Sequence, residues 1–491
     1  MGSSFKRRDV AGMVNPTTGA WDPVLYWYAR AVGEMKKKDR SASDSWLFQA
    51  FTHGVPKSEG VRPTDPDEWR QCPHGNQYFL PWHRWHVYYF ERIVRRVIVK
   101  DLGQRDQAHW TLPYWNYAHL DAAFDPLLGG AQSAEEYRRI PLALRQERMR
   151  DPRGQEEGPN PLYLKPHDAN GRCRGAEPMT YDQVDPAAAM RERHFEPVDR
   201  RAVSGFSAVL ERWPHGNVHT AVGGLMGKVP TAGQDPVFWL HHCNIDRLWY
   251  AWLSRGHTLP TGWQWPAVRP QHAEHEHGKD LPFVLRDENG GQHRFTGPVF
   301  TFPEDAYEYE SLTDGTGSDA PPKARLGVVP PVGAVLVAGT DEETALGAGQ
   351  LALDLVPEAG REEAIGSALE GNAGEDGSSL VLLTFEGVRA DAPPCTNFRV
   401  FLGDDTRDTN PCGDAFVGLL TFFGAVGEDA EMTEDGAGLT FRFDVTETLR
   451  DLRGGSAWSG AGVPTVRIAP AEEPSFEGVN ARFSRASFTV T

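Results

Sequence analysis

The chain has 491 residues, which at the usual ~100 to 200 residues per domain points to at least two domains. Mean hydropathy is -0.49 and no stretch approaches ~20 consecutive apolar residues, so a membrane span is excluded on length. The formal charge of -18, from 50 Lys plus Arg against 68 Asp plus Glu, disfavours nucleic acid and anionic membrane surfaces as partners.

That charge is unevenly placed. From Pro321 onward there are 12 basic against 27 acidic residues, leaving 38 against 41 before it. Histidine runs the other way, because all 17 lie between His53 and His293, and tyrosine is absent after Tyr309. Two differently built halves therefore meet near residue 320. The opening MGSSFKRRDVAGM is basic but lacks an apolar segment behind it, so no signal peptide is expected. The chain reads as soluble, either cytoplasmic or exported by an unseen route. Five cysteines (Cys72, Cys173, Cys243, Cys395 and Cys412) without CxxC spacing argue against a disulfide scaffold or a thiolate zinc site. Cys395 and Cys412 either pair or stay reduced, and Cys243 reads as an inert packed thiol.

In chain order, FTHG supplies His53, and CPHGNQYFLPWHR places His74 and His83 nine residues apart. From Pro81 to Lys100 apolar residues recur at i, i+3 and i+4, which predicts a long amphipathic helix with His83 in its first turn. His86 falls on the apolar stripe and reads as core. Residues 120 to 200 are rich in Pro, Gly and charge and predict long loops with short helices. In LERWPHGNVHTAVGG, His215 and His219 are four apart, so a helix presents both imidazoles on one face. A second long helix is expected from Pro236 to about Ser254, with Asp235 as its N-cap. It carries His241 and His242, one of which completes a second set of three. His272, His275 and His277 read as a solvated loop.

The stretch TDGTGSDAPPKARLG, residues 313–327, reads as an exposed linker, cuttable at Lys323 and Arg325. Beyond it, GAVLVAG, LALDLV, SLVLLTFEGV, NFRVFLG, FVGLLTFFGAV, LTFRFDV and TVRIAP alternate with Gly, Asp and Pro turns, which predicts a β-sandwich. The expected organisation is a mainly α domain over 1–312, the linker, and an acidic all-β domain over 328–491.

Imidazole suits several metals, but two-metal hydrolases commonly recruit carboxylates, whereas six neutral imidazoles let a metal pair cycle between Cu(I) and Cu(II). Redox copper is favoured on that ground. The motifs HGNVHTAVGG with DPVFWLHHCNIDRLW, and FLPWHRWHVYYFE upstream, resemble those of the type-3 copper family of tyrosinases, catechol oxidases and molluscan haemocyanins. The likeness covers residues 5–310 and ends on AYEYE, where Tyr307 and Tyr309 resemble the family's closing tyrosine motif and Arg7 or Arg8 is expected to stack. TFEGV, NFRVFLG and FRFDV resemble, more weakly, the C-terminal domain that covers the active site in latent plant-type enzymes.

The resemblance implies a helical bundle around two copper ions, one held by His53, His74 and His83, the other by His215, His219 and His242. His241 then points about 100° away at 3.6 residues per turn and packs. It implies a thioether between Cys72 and His74, and a water-mediated general base at Glu211. Gly216 stands where many tyrosinases carry Asn, which puts monophenol hydroxylation in doubt. Val229 matches a bulky gate position, and Phe238, one turn before His242, either packs over the metal site or is a simple core aromatic. Asp246, one turn after His242, either accepts an imidazole hydrogen bond or pairs with Arg247. The expected activity is O2-dependent oxidation of o-diphenols to o-quinones, either alone or together with monophenol hydroxylation, in a latent pro-enzyme. Its partners are O2, phenolic small molecules and an activating protease at the linker. The alternatives are an o-aminophenol oxidase and a haemocyanin-like O2 carrier.

Overall fold

The structure, a computed structural model, describes the chain outside residues 1–4, 61–65, 119–133, 167–173, 175–177, 197–204, 270–280, 304, 314–324, 327–333, 341, 371–378, 407, 412, 428–437, 456 and 473–477. The His272, His275 and His277 loop, Cys173, Cys412 and Lys323 thus lie outside the described residues. The chain forms two compact units, Met1–Pro186 with Gly224–Gly317, and Ala187–Gly223 with Ser318–Thr491.

Five helices bear on the site: α1 (Pro23–Met35), α2 (Trp46–His53), α3 (Phe79–Arg96), α4 (Asn217–Val222) and α5 (Pro236–Ser254). Side-chain caps set several starts. Asp22 accepts from the Val24 amide at 2.8 Å, Ser45 from Phe48 at 3.0 Å, and Asp235 from Val237 at 3.0 Å. Pro23 and Pro236 occupy first-turn positions, where a missing N–H costs nothing. Arg174 donates to both oxygens of Asp235, at 2.8 and 3.0 Å, and so fixes the α5 cap from outside the helix. Helix α3 begins two residues before Pro81 and gives way to a π-helical turn over Val97–Asp101. It packs on α5, with Phe90 stacked on Trp239 at 3.5 Å. Two short strands, β1 (Lys6–Arg7) and β2 (Glu308–Tyr309), pair in parallel and tie the start of this unit to its end.

The second unit is built on β3 (Arg325–Leu326), β4 (Val335–Thr340), β5 (Leu351–Leu353), β6 (Val356–Pro357), β7 (Val381–Val388), β8 (Phe398–Leu402), β9 (Phe416–Leu420), β10 (Leu439–Asp444), β11 (Val466–Pro470) and β12 (Arg485–Val490). They form an antiparallel six-stranded sheet, ordered β6-β4-β12-β7-β10-β3, and a four-stranded one, ordered β5-β11-β8-β9. Inward side chains of both, including Leu383, Phe385, Val400, Phe443, Ile468 and Phe488, make one core, the sandwich expected from the apolar runs.

Two details escape the sequence pattern. LALDLV is split, its first part pairing with β11 and its last residue, Val356, with β4, so a single run crosses from one sheet to the other. Arg325 and Leu326, expected in the linker, instead pair with Asp444 and Phe443. Cys395 is disulfide-bonded. Among the described residues no helix is long and apolar enough to cross a membrane.

Candidate metal centre

In the first unit, α2 ends on His53, the following loop brings Cys72 and His74, and the first turn of α3 brings His83. One ligand atom from each of the four lies within 4.8 Å of the others, so this group could hold a metal ion. Local backbone fixes the tautomers. His53 Nδ1 donates to the Val229 carbonyl at 3.0 Å and His83 Nδ1 to the Phe79 carbonyl at 2.7 Å, which leaves Nε2 as the lone-pair nitrogen of each ring. The donor to Val229 needs close backbone approach. A Cβ on Gly54 would lie 2.9 Å from the Val229 carbonyl and 2.7 Å from Pro230 Cα, so glycine is required there.

Cys72 Sγ lies 3.4 Å and 3.6 Å from the two ring nitrogens of His74, and 3.2 Å from His83 Nε2. Its thiol is therefore wedged between two candidate ligands. Phe238 packs on His53 and His242, with ring centroids 4.7 and 4.2 Å away. The His242 ring stacks on His83 at 4.5 Å, whereas His241 lies against Tyr117 at 5.7 Å, so the two neighbours face different ways around α5. His86 is core: burial pushes it down to about 3, and its Nε2 meets the Gln49 carbonyl at 3.3 Å.

Asp246 corrects both expectations placed on it. It bonds neither an imidazole nor Arg247. Its carboxylate accepts from Arg84 Nε at 2.6 Å, from Arg7 at 3.3 Å and from the Tyr307 and Tyr309 hydroxyls, each at 2.6 Å. Burial alone would raise its pKa, but Arg84 and Arg7, helped by the two phenols, hold it below the usual carboxylate range. Arg247 serves Asn244, Asn116 and the Thr313 carbonyl instead. Of the two candidate stacking arginines, Arg7 lies 3.4 Å over the Tyr307 ring, while Arg8 pairs with Asp22. Sequence reasoning missed Arg84, although it adjoins His83. Asp246 follows His242 by one turn, so the Arg84 ion pair locks α3 to α5 beside the His83–His242 stack.

The second unit carries His215 and His219. The helix starting at Phe206 is interrupted at Trp213, whose extended backbone (φ -133, ψ 121) suits a residue before proline, and helix resumes beyond Pro214. The interruption leaves the expected spacing intact, with the His215 and His219 centroids 4.6 Å apart. His215 Nδ1 donates to the Glu211 carbonyl at 2.8 Å, and burial pushes that imidazole down to about 3, so it stays neutral. It is the Glu211 backbone that holds the ring, while its side chain is half-buried.

Gly216 has a neighbour that sequence could not supply. Thr421 Oγ1 donates to the Gly216 carbonyl at 2.8 Å, and a Cβ on Gly216 would meet Thr421 Cγ2 at 3.3 Å. Phe423, two residues on, stacks on His219 with centroids 3.8 Å apart and an interplanar angle of 13°.

Among the described residues, three imidazoles and a thiol converge on one point and a second imidazole pair lies one helical turn apart, with no carboxylate in the first group, a donor set that fits a copper oxidase of the imidazole-ligated, two-copper class. Residues 43–255 match the common central domain of tyrosinase, and residues 334–480 match a domain of unknown function. A tyrosinase of Hahella sp. is 30% identical over 490 residues, spanning 94% of this chain and 95% of that protein. The tyrosinase of Streptomyces antibioticus is 30% identical over 247 residues, 48% of this chain and 80% of its own. The chain belongs to the tyrosinase family: it is a copper-dependent enzyme that oxidises phenols with O2. The fold is shared with two solved structures, a latent aurone synthase (polyphenol oxidase) at TM-score 0.54 and 18% identity, and latent apple tyrosinase at 0.54 and 17%. Both alignments span all of this chain, with 90% and 98% of the respective structures.

Proposed function

We propose that this protein is a latent o-diphenol oxidase, in which His53, His74 and His83 hold one copper and His215, His219 and His242 the other. Two molecules of o-diphenol are oxidised to two of o-quinone as one O2 becomes two waters, so four electrons and four protons balance. The bound coppers supply the O2 binding and the two-electron redox chemistry; the chain's own residues supply position. The Val229, Phe79 and Glu211 carbonyls hold Nδ1 protons and so present Nε2 of His53, His83 and His215. Phe238 braces two of the imidazoles. Glu211 is assigned the phenolic proton, taken through water, and with no side-chain amide at Gly216 monophenol hydroxylation is the lesser activity. Val229 contributes a small side chain at the approach and its carbonyl to His53. The near-equidistant approach of Cys72 Sγ to both nitrogens of His74 supports a thioether at the carbon between them.

One observation carries the latency: the Phe423 ring lies parallel on His219 and covers a face of that imidazole. Domain limits of 1–312 and 328–491 remain the proposed sequence division, and protease access is proposed ahead of the Arg325 strand. The test compares catechol turnover by the intact protein, the linker-cleaved protein and Phe423→Ala. A low rate that rises on cleavage or substitution supports a latent oxidase. A rate near zero in all three identifies an O2 carrier, and faster turnover of o-aminophenol than catechol identifies an aminophenol oxidase.

A further inference from the structure

His86 is the histidine of α3 that the proposed ligand set leaves unused, and it sits where α2, α3 and α5 meet inside the first compact unit. Its Nε2 donates to the Gln49 carbonyl of α2 at 3.3 Å. Its ring centroid lies 4.7 Å from that of Trp82 on its own helix and 4.7 Å from that of Trp239 on α5. The ring is also nearly parallel to His53, at 6.4 Å and 15°. The same three helices carry His53, His83 and His242.

A carbonyl oxygen can only accept, so Nε2 carries the ring proton and Nδ1 of the neutral imidazole is an acceptor. That Nδ1 has no partner among the described residues, and neither has the indole N–H of Trp82 or of Trp239. Both indoles are 0% exposed and His86 is 1% exposed, so bulk solvent does not reach these atoms. Buried polar groups are rarely left in that condition, because each forfeits the bonds it made to water. Two donors and one acceptor around one imidazole restrict what can satisfy them. A cation would meet two N–H dipoles, an anion would meet the imidazole lone pair, and an apolar group would bond to none. A water accepts twice and donates once, and about three bonds is the usual number for a buried water.

We infer that His86, Trp82 and Trp239 form a binding site for one internal water molecule, whose bridge positions the His53 imidazole. The water accepts from both indoles and donates to His86 Nδ1, joining α3 to α5. Through His86 Nε2 the bridge reaches α2 and sets the ring that faces His53.

The test uses full-length protein labelled with 15N at tryptophan, studied metal-free and with Cu(I), both of which are diamagnetic. The indole N–H signals of Trp82 and Trp239, assigned with Trp82→Phe and Trp239→Phe, should each show a dipolar cross-peak to a long-lived water. Indole protons without that cross-peak overturn the inference. His86→Phe removes the acceptor and should abolish both cross-peaks, whereas His86→Gln keeps an acceptor and a donor and should retain them; cross-peaks that survive His86→Phe also overturn it. Should His86→Phe not fold, the spectrum of the unsubstituted protein decides alone. Chelator titration should show the first copper bound about 10-fold more weakly in His86→Phe, with His86→Gln recovering most of the loss, and an unchanged affinity removes the positioning role. Only this last measurement rests on the proposed copper ligands, so the water site and that assignment can fail separately.

Discussion

Replacing Asp246 by Ala removes the one carboxylate that accepts from Arg7, Arg84, Tyr307 and Tyr309, and leaves two buried guanidiniums without it. Glu91 still serves Arg7 at 2.8 Å, so Arg84 bears most of the loss, its guanidinium remaining 3.4 Å over Trp249. Breaking a buried pair in this way costs about 3–5 kcal/mol. At roughly 2–4 °C per kcal/mol for a unit of this size, the thermal midpoint should fall by about 6–20 °C. Because the same ion pair locks α3 to α5 beside the His83–His242 stack, copper affinity should fall as well. Asp246→Asn keeps the shape and should cost less. The assay is a thermal scan of metal-free and copper-loaded protein, with bound copper counted at each step. A midpoint shift below ~2 °C would refute the lock. Asp246→Asn that weakens copper while leaving metal-free stability untouched would restore the imidazole-partner role instead. The sign with pH follows from the lowered pKa. The contribution is fully present above the unfolded carboxylate value of about 3.9 and is lost as pH falls through the lower folded value.

Phe423→Ala removes a ring whose burial and stacking together contribute roughly 2–4 kcal/mol. If that favours the covered state, catechol turnover should rise by about 30-fold or more, and an unchanged rate counts against the plug. Gly54→Ala should push the Val229 carbonyl off His53 Nδ1 and weaken copper binding by about 10- to 100-fold; chelator titration with unaltered affinity would show that the contact is dispensable. The Cys72–His74 peptide should be about 2 mass units lighter than its unmodified sum if the thioether forms, since the link removes two hydrogens. An alkylatable Cys72 thiol excludes it.

Helix starts were legible because each rests on local chemistry, such as Asp235 before Pro236. The strands were legible because period and turn residues lie within a few positions of one another. β12 was passed over: RASFTV has only a short apolar alternation, and its central place between β4 and β7 comes from pairing partners more than 90 residues away. Asp246 was misassigned for a related reason. Its near neighbours in sequence are His242 and Arg247, but its bonds go to Arg7, Arg84, Tyr307 and Tyr309, which helical spacing cannot reveal.

By itself the sequence pointed to the chemistry, because metal preference depends on donor type and count, and two histidine sets that could supply the donors are visible in one dimension. It also determined the two-part build, through charge and histidine segregation. Tertiary structure alone decided which groups hold those donors. The Val229 carbonyl behind His53, Arg84 on Asp246 and Phe423 on His219 all join residues far apart in the chain. Such contacts depend on long-range packing, which leaves no local periodicity to read.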